Sequence, residues 1–182
     1  MAHDERTFTR IASTTKFAGR IVTVTDDTFR YADGKTADRE IVRTTGAVAI
    51  VAVDGDHVWL VRQPREAVGD PDSLELPAGR LDKDGETPLQ TAQRELAEEI
   101  GQVAARWTPL TTYRSSVGFT DEVVHVFLAE DLRAADGEHD SGEDERIEIV
   151  RRPLAELAAL IAEVSDSKTL IGLLLLERRR AA

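Results

Sequence analysis

The chain has 182 residues, 34 acidic against 23 basic, for a net charge of -11 near neutral pH. That length gives one good hydrophobic core with room for a small appended element, and so much negative charge argues against wrapping a nucleic acid or lying on an anionic membrane. The absence of cysteine excludes thiol catalysis, disulfides and a thiolate-held zinc, and it fits a cytoplasmic protein.

The opening residues, Met1 to Arg6, lack the apolar core of a signal peptide. From Ile11 to Thr45 the pattern is strand-like, with Ile21, Val22, Val24, Phe29 and Tyr31 among threonines, a turn at Asp33-Gly34 and a third strand over Arg39–Arg43. Three such strands are not stable alone, so residues 1–44 are expected to form a sheet that packs on a main domain, 45–182, or on another subunit. Gly46 to Val53 is nearly all apolar, as in a strand covered on both faces, and Asp54-Gly55 turns it into a return strand over His57–Val61. Arg62 and Arg65 follow. Two guanidinium forks at a strand end suit phosphates, although surface charge is the plainer reading of the pair alone. Glu75, between two leucines on an inner strand, needs a partner there, and a substrate ribose, Arg65 or an internal salt bridge would serve.

The stretch from Gly79 to Gly101 is read as a loop running into a helix. Thr87 suits the N-cap, Pro88 the first helical position and Gly101 a left-handed C-cap. Leu89, Ala92, Leu96 and Ile100 form its apolar stripe. Glu95, Glu98 and Glu99 fall within an arc of about 100° on the same helix. Like charges three and four residues apart cost roughly 0.2–0.5 kcal/mol per pair. Arg94 can pair with Glu98, and a hard divalent cation would offset the rest. Taken alone, Glu-x-x-Glu-Glu reads more simply as a solvated acidic face.

Arg106–Tyr113 and Val123–Leu128 read as strands joined by the loop Ser115–Glu122. Glu130 to Glu148 is acidic and reads on charge alone as a solvated loop, ahead of a strand over Ile147–Val150. Pro153 is expected to open a helix over Leu154–Val164, with a second over Ser167–Arg178 whose last arginines complement its C-terminus. The longest apolar run, Leu170–Leu176, is far short of the roughly 20 residues that cross a membrane and reads as buried helix.

Gly79, Glu86, Arg94-Glu95, an aliphatic residue, Glu98-Glu99 and Gly101, in this order, resemble the Nudix box. The loop Arg80–Gly85 is one residue longer than usual, and Gln102 stands where an aliphatic residue is common. Glu75-Leu-Pro-Ala-Gly79, and Arg39-Glu-Ile-Val42 running into Gly46, extend the likeness to bacterial, actinobacterial-type ADP-ribose pyrophosphatases over nearly the whole chain. The resemblance implies an α/β/α sandwich with a mixed sheet, plus an N-terminal antiparallel sheet shared or exchanged across a homodimer. It implies hydrolysis of ADP-ribose to AMP and ribose 5-phosphate, with two or three magnesium or manganese ions held by Glu95, Glu98, Glu99 and the Ala78 carbonyl. Gly79, Glu86, Arg94 and Gly101 are then structural, and Arg62, Arg65, Glu75, Gly118, Phe119 and Glu122 bind substrate. Glu143 or Glu145, just before the last strand, is the expected general base, with Glu143 favoured. Val117 stands where a proline tends to mark ADP-ribose enzymes, which keeps open another nucleoside diphosphate sugar or a dinucleotide. A non-catalytic nucleotide-binding Nudix module is the third reading.

Overall fold

The computed structural model describes residues 6–136 and 146–181, and the chain divides into two compact units. One holds the chain through Gly46 together with Arg114–Val123; the other holds Ala47–Tyr113 and the chain from Val124.

In the first unit β1 (Phe8–Ala18), β2 (Thr23–Tyr31) and β3 (Thr36–Arg43) form an antiparallel sheet with β2 in the middle. Gly34, at φ 83°, makes the turn between β2 and β3, where a side chain would be strained. A sheet this small buries little oil, and a charge cluster helps to hold it. Asp27 of β2 is fully buried, accepting from Ser13 Oγ at 2.6 Å, Arg10 Nη1 at 3.2 Å and Arg43 Nη2. Burial pushes its carboxyl up, but the bonds from Ser13 and Arg10 outweigh this and hold it at about 2. The loop Ser115–Glu122, expected in the main domain, groups with this sheet because it answers donors at the end of β3. Val42 N donates to Phe119 O at 2.8 Å, Thr44 N to Asp121 Oδ1 at 3.1 Å, and Arg43 Nη1 to Asp121 Oδ2 at 3.2 Å.

The second unit is built on β4 (Ala47–Asp54), β5 (His57–Arg65), β6 (Asp70–Glu75), β7 (Ala78–Arg80), β8 (Gln102–Arg114), β9 (Val123–Ala134) and β10 (Glu148–Pro153). The sheet runs β10-β5-β4-β9-β8, with β6 on β5 and β7 on β4. It is mixed: β4 and β9 are parallel, while β5 is antiparallel to β4, β6 and β10. Helices α1 (Pro88–Ile100), α2 (Leu157–Glu163) and α3 (Ser167–Arg180) cover its faces. Side chains alternate across a strand, so β4 feeds two cores. Ala49 and Val51 pack with Leu157, Leu160, Leu173 and Leu176 of α2 and α3, whereas Val48, Ile50 and Ala52 pack with Ala92, Leu96 and Ile100 of α1. Each large aliphatic side chain so buried contributes about 1.5–3 kcal/mol. The α/β/α sandwich follows from that single strand.

Three local expectations change. Leu89 is 37% exposed, and Thr91 and Glu99 are buried on α1 instead. Thr91 Oγ1 donates to Glu86 Oε2 at 3.0 Å, which meets the polar group of a buried position, while Leu89 stands in the first turn of the helix. Pro153 ends β10; Leu154–Glu156 is a 3-10 turn, and α2 starts at Leu157. Within Leu170–Leu176 only one face is buried, since Leu174 is 44% exposed. No helix among the described residues is long and apolar enough to cross a membrane.

The inner face of α3 is tight at Gly172. A Cβ there would lie 2.5 Å from Leu76 Cδ1 and 3.0 Å from Val51 Cγ2, both side chains fully buried. Gly172→Val is expected to destabilise the protein by about 1–3 kcal/mol through overpacking. Urea unfolding measures this, and an unchanged midpoint would refute the close packing of α3 on β4.

Candidate active site

Helix α1 begins as its cap residues dictate. Thr87 Oγ1 accepts from Gln90 N at 3.3 Å while Gln90 Oε1 accepts from Thr87 N at 2.9 Å, a reciprocal capping box. Gly101, at φ 65°, closes the helix in the left-handed conformation. Between these caps the acidic residues take different environments. Glu99 is 5% exposed, and its Oε2 accepts from Ala78 N at 3.0 Å. The Glu95 side chain is 14% exposed and that of Glu98 41%. Burial pushes the Glu95 carboxyl up, a tendency that Arg94 opposes and Glu98 and Asp82 reinforce.

Arg94 organises this cluster. Its Nη1 donates to Glu95 Oε1 at 2.6 Å and Glu98 Oε2 at 2.7 Å, while Nε and Nη2 reach Glu86 at 3.2 Å. Burial works against its charge, but the bonds to Glu86 and Glu98 prevail and raise its pKa. Lys83 Nζ lies 3.7 Å from Glu98 Oε1. The structure thus brings together Ala78, Gly79, Glu86, Arg94, Glu95, Glu98 and Glu99. Among the described residues no three acidic or histidine side chains converge into a ready-made ion cage, because the guanidinium stands between Glu95 and Glu98. The donor set nevertheless fits a hard divalent cation: all its atoms are oxygens, and Glu86, Glu95, Glu98, Glu99 and Asp82 outnumber Arg94 and Lys83.

A second cluster lies at the end of β6. Glu75 is 1% exposed; its carboxylate accepts from Arg65 Nε at 2.6 Å, Arg65 Nη2 at 2.7 Å and Lys168 Nζ at 2.7 Å. Burial alone would raise its pKa, but Arg65 and Lys168 hold it at about 2. Of the partners considered for Glu75, Arg65 is in contact, and an internal salt bridge forms with it and with Lys168. Lys168 escaped notice in the sequence, lying 93 positions away. The Glu75 bond raises the pKa of Arg65, and the negative charges of Asp166 and Glu99 add to this. Arg62 belongs to neither: it bonds Asp72 at 2.7 Å and Glu163 at 3.3 Å.

The first unit contains a cavity of about 500 Å³. Gly118 and Phe119 line it with Phe8, Phe29, Tyr31 and Arg39. Phe119 is 56% exposed and Val117, also on the wall, 85%, so Phe119 is no ordinary core residue. Glu122 is half-buried, and its carbonyl accepts from Ser115 N at 3.3 Å to close the loop. Glu143 and Glu145 lie outside the described residues.

Gly79 sets the clearance of the box. A Cβ on it would fall 1.9 Å from Glu95 Cδ and 2.1 Å from Glu95 Oε1. Gly79→Ala is therefore expected to push Glu95 out of place and lower turnover about 10²-fold or more, as misplacement of about 1 Å can do. Steady-state rates beside a circular-dichroism melt test this, and a folded variant at wild-type rate would refute it.

Residues 43–173 match the NUDIX domain family. The chain is 38% identical over 174 residues to an ADP-ribose pyrophosphatase of Bacillus subtilis, covering 94% of this chain and 93% of that one. It is 36% identical over 168 residues to a methanol dehydrogenase activator of Bacillus methanolicus, covering 91% and 90%. Among solved structures, an ADP compounds hydrolase superposes with a TM-score of 0.85 at 26% identity, covering 98% of this chain and 96% of that one. With the box folded as described and the match spanning most of the chain, this protein belongs to the Nudix family.

Proposed function

We propose that this protein hydrolyses the diphosphate of ADP-ribose to AMP and ribose 5-phosphate. The observation that carries the reading is the box itself, in which Glu95, Glu98 and Glu99 are set on one helix beside Ala78 and Gly79. Similarity over nearly the full length to an ADP-ribose pyrophosphatase supports the substrate. In the reaction a water oxygen adds to one phosphorus, the bond from that phosphorus to the bridging oxygen breaks, and the water's proton passes to a base. Two or three magnesium or manganese ions, held by Glu95, Glu98, Glu99 and the Ala78 carbonyl, would polarise the phosphates and make the water more acidic. Arg65 neutralises charge on the phosphates. Glu75 orients Arg65 and, through it, the substrate, while Arg62, at the same strand end, would have to leave Asp72 and Glu163 to reach it. Gly118, Phe119 and Glu122 bind substrate, and the aromatic-lined cavity on which Gly118 and Phe119 stand, with arginine on its wall, suits a planar base. Glu143 or Glu145 takes the proton.

Val117, on the cavity wall, favours a second reading in which another nucleoside diphosphate sugar or a dinucleotide is the substrate. A binding module without turnover is a third, and the intact set of box glutamates argues against it. AMP release from ADP-ribose, with and without magnesium, beside UDP-glucose, NADH and diadenosine compounds separates them; silence with all of these overturns the enzymatic reading. Glu99→Gln should lower turnover about 10²–10³-fold, the range for loss of one electrostatic contact to a transition state, while the melt stays cooperative. A variant turning over at the wild-type rate removes Glu99 from the site.

The reading includes a cytoplasmic homodimer formed through the N-terminal sheet, shared or exchanged between copies. All eleven residues of β1 are exposed, among them Phe8 at 58%, Ile11 at 44% and Phe17 at 57%. A long exposed edge strand that carries Phe8, Ile11 and Phe17 can pair with another. Light scattering on the full chain should give twice the monomer mass, and removal of residues 1–44 should abolish this. A full chain that runs as a monomer sinks the dimer.

A further inference from the structure

Three features stand outside the mechanism above. The exposed face of β1 is already assigned to the dimer, and the buried Asp27 has all its partners within the N-terminal sheet. The third is the first turn of α3, and it reaches the reaction.

Asp166 caps α3, its Oδ2 accepting from Thr169 N at 2.9 Å and Thr169 Oγ1 at 2.6 Å. Thr169 is fully buried, and its Oγ1 accepts in turn from Leu76 N at 2.9 Å. Lys168, 17% exposed, bridges Asp166 Oδ1 at 2.9 Å and Glu75 Oε2 at 2.7 Å. One helical turn therefore grips both the side chain of Glu75 and the backbone of the next residue, just ahead of Ala78. Arg65 spends one edge of its guanidinium, Nε and Nη2, on Glu75, and its Nη1 bonds no described residue. Its side chain is 41% exposed, so that edge is open to a ligand.

Asp166 balances the charge of Lys168, so what the lysine adds is a second hold on the Glu75 carboxylate. We propose that Lys168 is a positioning residue for the hydrolysis: by taking Glu75 Oε2 it fixes the carboxylate, and so holds Arg65 in the orientation that meets the substrate's phosphates. The proposal rests on the reading of Arg65 as a phosphate contact. A purely structural lysine would serve only to keep a buried carboxylate company, and its loss would then cost stability without touching the rate per folded molecule.

The test is a double-mutant cycle in the full chain, read as kcat/KM for ADP-ribose with magnesium alongside thermal melts. Lys168→Met is expected to lower kcat/KM about tenfold, a coupling within the range for contacting residues. Inhibition by inorganic phosphate should weaken in parallel, and Lys168→Arg should restore most of the rate. Arg65→Lys combined with Lys168→Met should lose little more than Arg65→Lys alone. Losses that multiply, or a folded Lys168→Met enzyme at wild-type kcat/KM, overturn the proposal. If Lys168→Met does not fold, Lys168→Leu, which likewise removes the donor to Glu75, takes its place under the same criteria. An Arg65→Lys enzyme that is itself unimpaired defeats the phosphate role of Arg65, and this proposal with it. That outcome reads from the single variant and is distinct from failure at Lys168.

Discussion

The hydrogen bond from Ala78 N to Glu99 Oε2, 3.0 Å long, joins the strand that enters the box to the helix that leaves it. Both partners are referred to β4. Strand β7 pairs Ala78 with Ala49 and Gly79 with Val48, Pro77 O accepts from Ile50 N at 2.8 Å, and α1 packs Ala92, Leu96 and Ile100 against Val48, Ile50 and Ala52. With both elements registered on the most buried strand, loop and helix have little freedom to separate. That rigidity lets Gly79 lie against Glu95 with no room for a methyl group. It also accounts for a carboxylate such as Glu99 being nearly buried, since a charge in that position is tolerable only where a fixed donor meets it.

Much of this was legible in the residues. Thr87, Pro88 and Gly101 act locally, through capping and backbone geometry, so α1 could be bounded to the residue. The apolar run from Gly46 to Val53 foretold a strand with two covered faces, because only such a strand dispenses with polar alternation. Placing Glu95, Glu98 and Glu99 on one helix needed only its period. What stayed hidden depends on partners distant in sequence. Lys168 meets Glu75 across 93 positions, and neither carries a local sign of the other. A helix from Ser167 was expected, but nothing in the local sequence announced that Thr169 would receive Leu76 N. Leu89 misled because the period that rightly placed Ala92, Leu96 and Ile100 inward says nothing of how far their cover extends at the first turn of the helix. The grouping of residues 114–123 with the N-terminal sheet turns on Asp121 answering Thr44 and Arg43, again a pairing of distant segments.

Arg94 explains why the box needs Glu86 as well as the three later glutamates. The guanidinium divides its donors: Nη1 is shared between Glu95 and Glu98, while Nε and Nη2 stay on Glu86. Glu86 is itself fixed by Thr91 Oγ1 in the first half of α1. A planar fork so divided can give up contacts on one side without losing its anchor on the other, which a lysine, as a single point charge, could not do. The arginine therefore relieves the repulsion between Glu95 and Glu98 while Glu86 anchors its other edge. Without Glu86, Arg94 would keep, among the described residues, Glu95, Glu98 and a more distant Asp82 at 4.0 Å. The first glutamate of the box thus belongs to the cluster through Arg94 and Thr91.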